Sequence, residues 1–278
     1  MPVAQQQCQR PQSRVAPSLD SETWVLASGS IQISVDTAHL PFPPPAGAHR
    51  LRQTWSRLLF AHWPVPASDV QNKLPPGLTV DTLDGYAWLG VVPFTMEQVR
   101  FRSVSRYHLG VPTAGTFPEL NLRTYVKAPD GRAGVYFFSL DAGSLLAVLG
   151  ARVAFGLPYF WAQMNETVAA DNAITYTSRR RFSPANFQAT YRSTGREAAH
   201  DDLRTFLTER YALFVHRAGA VRIGQIAHPP WQLFEAEADI RTNTLAESFG
   251  LTLPQRPPIL HYSHQIEMHA WTLRRVSP

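Results

Sequence analysis

From Phe117 to Val126 the chain reads FPELNLRTYV, with the two-residue repeat of an extended strand. Glu119, Asn121, Arg123 and Tyr125 fall on one face and Leu120, Leu122, Thr124 and Val126 on the other. Pro129, Asp130 and Gly131 then supply turn chemistry. The segment GVYFFSL that follows, residues 134–140, contains only aromatic, β-branched, leucine and small residues, as an internal strand requires. The pair reads as a hairpin whose one face carries an acid, an amide, a guanidinium and a phenol about 7 Å apart. Such a face either meets water or lines a polar cavity, and alternation alone leaves both open.

The rest of the chain repeats the strand-and-turn theme. WSRLLFAHW, residues 55–63, is apolar and aromatic and is expected to break at Pro64–Pro66. Ser68 can cap a helix running to Leu74, which Pro75-Pro76-Gly77 stops. Asp84-Gly85 is a two-residue hairpin signal between strands at 78–82 and 86–92, and a bend at Pro93 precedes an extended run over 95–102. A helix over 144–153, an extended FGLPYFWAQM, strands at 173–182 and 186–193, and a helix from Asp201-Asp202 to Arg210 come next. Strands at 211–216, 221–227, 232–240 and 258–276 close the series. Many short strands and few helices predict an α+β chain, mainly antiparallel β, as a barrel or two packed sheets. Residues 1–48, rich in Pro, Gln and Ser and ending in LPFPPPAG, read as a flexible leader to a single domain over 49–278.

Composition removes several function classes. No run of about 18 apolar residues exists, so no membrane partner is expected. The N-terminus lacks the apolar core of a secretory signal, and the lone Cys8 fits a reducing, cytoplasmic setting. The net charge of +5 comes from arginines scattered along the chain, because Lys73 and Lys127 are the only lysines. In the one cluster, Arg179-Arg180-Arg181, alternation turns the middle residue to the opposite face, so nucleic acid is not an expected partner. His261, Glu267 and His269 share strand parity, yet no short zinc motif is present and neither metal nor cofactor is predicted.

The ordered series FAHW, LPPGL, DGYAWLGVVPF, FPELNLRTYV, GVYFFSLDA and then AR followed by GLPY resembles the YqjF-like family of uncharacterised bacterial proteins, over most of residues 52–276. That family is placed in the acetoacetate decarboxylase-like superfamily. The resemblance implies a closed, cone-like β-barrel with a few short helices, holding a small carboxylate inside, with the row from Glu119 turned inward. It also implies a test. Decarboxylases of the superfamily use a lysine after a Gly-x-Pro run, and a neutral amine there forms a Schiff base with the keto acid. Here Gly156-Leu157-Pro158 is followed by Tyr159 and Phe160, and a phenol cannot become an imine. Schiff-base decarboxylation is therefore not expected.

The remaining groups define candidate roles. Arg123 and Arg152 can clamp a carboxylate, Glu119 can act as a general base or hold an arginine, and Tyr125 or Tyr159 can donate to an enolate. Asn121 and His62 complete the candidate ligand-binding set. Each has a plainer assignment: a self-satisfying Glu119–Arg123 pair, a surface Arg152, a core Tyr159 or His62, an Asn121 bonded to neighbouring backbone. Two functions follow. One is a binding protein for an organic acid or hydrophobic ligand; the other is a non-covalent acid/base enzyme of lyase or isomerase type acting on a keto or enol acid. They differ in whether Glu119 is free or tied to Arg123, and homo-oligomerisation is left open.

Overall fold

The computed structural model describes residues 37–102, 108–110, 115–145, 148–149 and 156–276. In chain order the elements are β1 (Leu51–Pro66), α1 (Ala67–Gln71), β2 (Thr79–Val80), β3 (Tyr86–Arg102), β4 (His108–Gly110), β5 (Thr116–Lys127), β6 (Ala133–Ala142) and β7 (Tyr159–Val168). They continue as β8 (Ile174–Arg180), β9 (Asn186–Glu197), α2 (Asp202–Thr208), β10 (Ala212–Arg217), β11 (Ala220–Ala227), β12 (Phe234–Asn243), a 3-10 turn (Ala246–Phe249), β13 (Ile259–Ala270) and β14 (Arg274–Arg275). The strands form one large, mainly antiparallel sheet, and among the described residues only β6–β7 and β6–β10 pair in parallel.

The sheet curls into a ring-like arrangement and closes twice. One circuit runs β6–β7–β8–β9–β12–β13–β1–β3–β5 and back to β6; the other runs β6–β10–β11–β13–β1–β3–β5 and back to β6. Strands β13, β1, β3, β5 and β6 belong to both circuits, so each of their faces has its own interior. Leu120 and Leu122 of β5, Leu89 and Val91 of β3, and Leu59 and Ala61 of β1 pack with Tyr176 and Phe187 in the first interior. Phe60, Val92, Phe94 and Met96 face the second, with Leu140 and Trp231.

Local chemistry explains most elements. In the β2–β3 connection Asp84 and Gly85 take φ of 53° and 79°, the two positive values that the hairpin signal demands. Asp201 caps α2 by accepting from the Arg204 amide at 2.7 Å. The β5–β6 hairpin has the expected partner, with Val126 opposite Gly134.

Two expected breaks are absent. Strand β1 runs on through Pro64 and Pro66, because β13 begins at Ile259, opposite His62, and Trp63–Pro66 pairs with β3 alone. On that free edge no amide donor is needed. Pro93 does not divide β3 either: it lies where β1–β3 pairing shifts register between Ser56 and Ala61, a gap that tolerates a missing N–H. Helix α1 ends at Gln71, short of Leu74, and Ser68 bonds Asp69 in place of an orphan amide. The helix expected over 144–153 lies largely outside the described residues, as does residue 1–36 of the expected leader. Its last part is held against the sheet: His39 Nε2 lies 2.7 Å from the His228 carbonyl, Gln225 donates to Pro43, and Trp271 donates to Gly47.

Candidate functional site

The second interior holds a cavity of about 210 Å³, walled by β1, β3, β5, β6, β10, β11 and β13. Glu119, Asn121 and Arg123 line it from β5, and Tyr159 lines it from the start of β7. Strand β5 can present them because its other face is filled by Leu120 and Leu122. Around this polar row the wall is aromatic and aliphatic, with Trp55 and Phe60 from β1, Phe94 from β3, Phe137 from β6 and Trp231 from the loop before β12. Trp55 stacks on Trp231 at 6.2 Å between ring centroids, and Phe60 meets Trp231 edge-on at 4.9 Å.

Glu119 is 2 % exposed. The one side-chain hydrogen bond to its carboxyl among the described residues comes from Tyr159, whose hydroxyl donates to Oε2 at 3.0 Å. Burial pushes the Glu119 carboxyl up to about 8, against the opposing effect of the Tyr159 hydrogen bond, and the nearby Asp141 charge adds to the rise. Asp141 itself is buried and tied to Arg180 at 2.7 Å, on the face of β6 that looks into the first interior. Burial and the Glu119 charge also hold the Tyr159 phenol well above its ordinary range, so it stays a donor.

Arg123 makes no ion pair with Glu119 among the described residues. Its Nη2 donates to the Leu207 carbonyl at the end of α2, at 3.2 Å, and its guanidinium lies 5.3 Å from the Phe60 ring centroid. Its Nε is buried without a hydrogen-bond partner, as is Oδ1 of Asn121. The half-buried guanidinium is thus anchored at one edge by a helix C-terminus, where cations are favoured.

Two expected members are not brought to the cavity wall. Tyr125 is fully buried under α2; its hydroxyl donates to the Leu207 carbonyl at 2.6 Å and lies 2.7 Å from His62 Nε2. The Tyr125 hydrogen is taken by Leu207, so His62 Nε2 carries the proton that bonds the phenol oxygen. Burial and the Arg123 charge push the His62 pKa well below its ordinary value and keep the ring neutral. Tyr125 shares strand parity with Glu119, but α2 closes over that end of the face. Arg152 lies outside the described residues. The cavity also uses residues that sequence reasoning did not single out, Trp55, Phe60, Phe94 and Trp231 among them. Positive φ at Arg57 and Gln98 marks irregularities in β1 and β3 that shift strand parity, so simple alternation does not reveal a continuous wall.

Neither lysine lines the cavity: Lys127 is 55 % exposed and pairs with Asp81 at 2.9 Å, and Lys73 is exposed beyond α1. Among the described residues no three His, Cys, Asp or Glu side chains are grouped to hold a metal; Glu267 is paired with Arg52 and lies 3.3 Å from His269. No helix of the described residues is long and apolar enough to cross a membrane.

Residues 52–267 match the model of the DUF2071 family, described as an uncharacterized conserved protein. The chain belongs to this family. A relative, the uncharacterized protein YqjF of Bacillus subtilis, is 44 % identical over 236 residues, which cover 84 % of this chain and 95 % of that protein. The fold is similar to that of the enduracididine biosynthesis enzyme MppR, solved with HEPES buffer bound, at a TM-score of 0.58 and 12 % identity over 90 % of this chain and 98 % of that one. It is also similar to acetoacetate decarboxylase from Legionella pneumophila, at a TM-score of 0.55 and 14 % identity over 86 % and 93 %. This DUF2071 member therefore has an acetoacetate decarboxylase-like fold, as the sequence resemblance implied.

Proposed function

We propose that the cavity binds a small organic acid and handles it by non-covalent acid–base chemistry, with Glu119 as the proton-transfer group and Arg123 as the carboxylate anchor. The observation that carries this reading is a buried Glu119 carboxyl that is held by a tyrosine hydroxyl and paired with no arginine among the described residues. With a pKa of about 8, roughly a tenth of Glu119 is ionised at pH 7, so both an acid and a base form are populated near neutrality. The ionised form takes a proton from the carbon next to a substrate carbonyl, the C–H electron pair becomes the C=C bond of an enolate as the C=O pair moves onto oxygen, and the Tyr159 hydroxyl, released once Glu119 is protonated, donates to that oxygen. Neither Lys73 nor Lys127 is among the described residues that line the cavity. Support for the ligand class comes from the same fold, since MppR has also been solved complexed with pyruvate.

Proton exchange reads this directly. In deuterated buffer the protein is expected to wash deuterium into the carbon next to the carbonyl of a 2-oxo acid, followed by NMR. Glu119→Gln should lower that rate at least a hundredfold and leave the dissociation constant within about threefold. Exchange that survives the substitution overturns the assignment.

A further inference from the structure

Strand register extends the cavity well beyond the polar row. Across β5 and β3, Glu119 is opposite Phe94 and Arg123 is opposite Gly90, and Gly90 in turn faces His62 of β1. The row therefore sits against the far half of β1. The cavity continues along the near half, where Trp55 pairs with Met96 and Leu51 with Phe101. Leu51 lies four residue steps along β1 from Trp55, a further reach of about 13 Å. On the opposite edge Leu51 pairs with Ala270, which pairs with Ile226.

That extension is mainly apolar. Leu51, Met96, Val99, Ile226, Met268 and Ala270 line it, with the amide of Gln53 between Leu51 and Trp55. Its other amide, Gln225, is already committed, donating to Pro43 and accepting from Arg274. An acid the size of pyruvate spans about two bonds beyond its carboxylate and would leave this end without an occupant. An apolar void of this kind is poorly wetted, and filling it with hydrocarbon is favourable.

We infer that the ligand is a carboxylic acid with an unbranched or aryl apolar tail of about five or more carbons, its carboxylate at Arg123 and its tail running past the Trp55–Trp231 stack toward Leu51 and Ala270. This rests on the organic-acid reading above and fixes the substrate class of the same site. The cavity is a tunnel with one polar end. The Trp55 and Trp231 rings form the neck between head and tail, and Ala270, the smallest side chain at the tail end, sets how long a tail is accepted.

Titration calorimetry with pyruvate, 2-oxohexanoate and 2-oxooctanoate tests it on the full chain, with 1-octanol as the uncharged control. Affinity should rise about fourfold per added methylene. Equal affinity for all three acids overturns the tail assignment and leaves the organic-acid reading standing. Octanol binding as tightly as 2-oxooctanoate, or no acid binding at all, overturns the organic-acid reading as well. Ala270→Phe should remove the gain from 2-oxohexanoate to 2-oxooctanoate without weakening pyruvate. Leu51→Trp serves the same purpose should the Phe variant fail to fold, and an unchanged length preference in a folded variant overturns the assigned tail position.

Discussion

Glu119 and Asp141 show how burial decides the state of two carboxyls that sequence treats alike. Asp141 has Arg180, whose Nε and Nη2 both reach it, and the pair is sealed beside Phe160, 4.2 Å from the guanidinium. Such a pair is costly to break from one side because the remaining charge is stranded. Among the described residues the Glu119 carboxyl has only a neutral donor, and it responds by holding its proton. The consequence for stability has a definite sign. Between pH 4.5, its ordinary value, and about 8 the folded chain keeps a proton that the unfolded chain has released, so stability from this group falls as pH rises through that window. Glu119→Gln removes the dependence and keeps an acceptor for Tyr159. The variant's melting temperature relative to wild type should therefore climb from pH 5 to pH 8.5 and level off above it, by an amount on the order of a few kcal/mol in stability. A difference that stays flat across that range would show that Glu119 is ionised in the folded protein.

At the scale of elements, the crossing of β1, β3 and β5 depends on a missing side chain. Gly90 lies between His62 and Arg123, and a Cβ there would come within 3.0 Å of the imidazole and 3.3 Å of Arg123 Cγ. Gly90 is accordingly the position at which the polar row and the His62–Tyr125 pair can approach one another, while α2 caps both through the Leu207 carbonyl. Gly90→Ala should cost about 1–3 kcal/mol in urea unfolding, because neither ring nor guanidinium can retreat without losing its partner. Acid affinity should fall with it, as Arg123 is displaced. A variant with unchanged unfolding midpoint would mean that the two side chains have room to move.

The sheet of the described residues encloses two interiors with one partition. Because β13, β1, β3, β5 and β6 form wall for both, neither circuit can open without exposing one face of the other's strands. Unfolding should therefore be one cooperative transition, with Trp231 fluorescence on the cavity side and a cysteine-attached label near Phe187 on the other reporting the same midpoint. Separate midpoints would show that the circuits are independent. The cavity, on this architecture, is the side of the partition that aromatic and aliphatic side chains do not fill.

Sequence by itself determined the features with strong local chemistry: the FPELNLRTYV alternation, the Asp84-Gly85 turn, the helix start at Asp201-Asp202 and the split of Arg179-Arg180-Arg181, of which only Arg180 is buried. These rest on neighbours in the chain, so period and turn residues suffice to read them. It also determined that only Lys73 and Lys127 can supply a side-chain amine. Tertiary structure alone decided which face of β5 looks into a cavity, that α2 withdraws Tyr125 and His62 from it, and that Glu119 bonds Tyr159 and not Arg123. Those outcomes depend on register, bulges at Arg57 and Gln98, and partners tens of residues apart. A period of two says that a residue changes sides; what waits on either side is set by how the sheet closes.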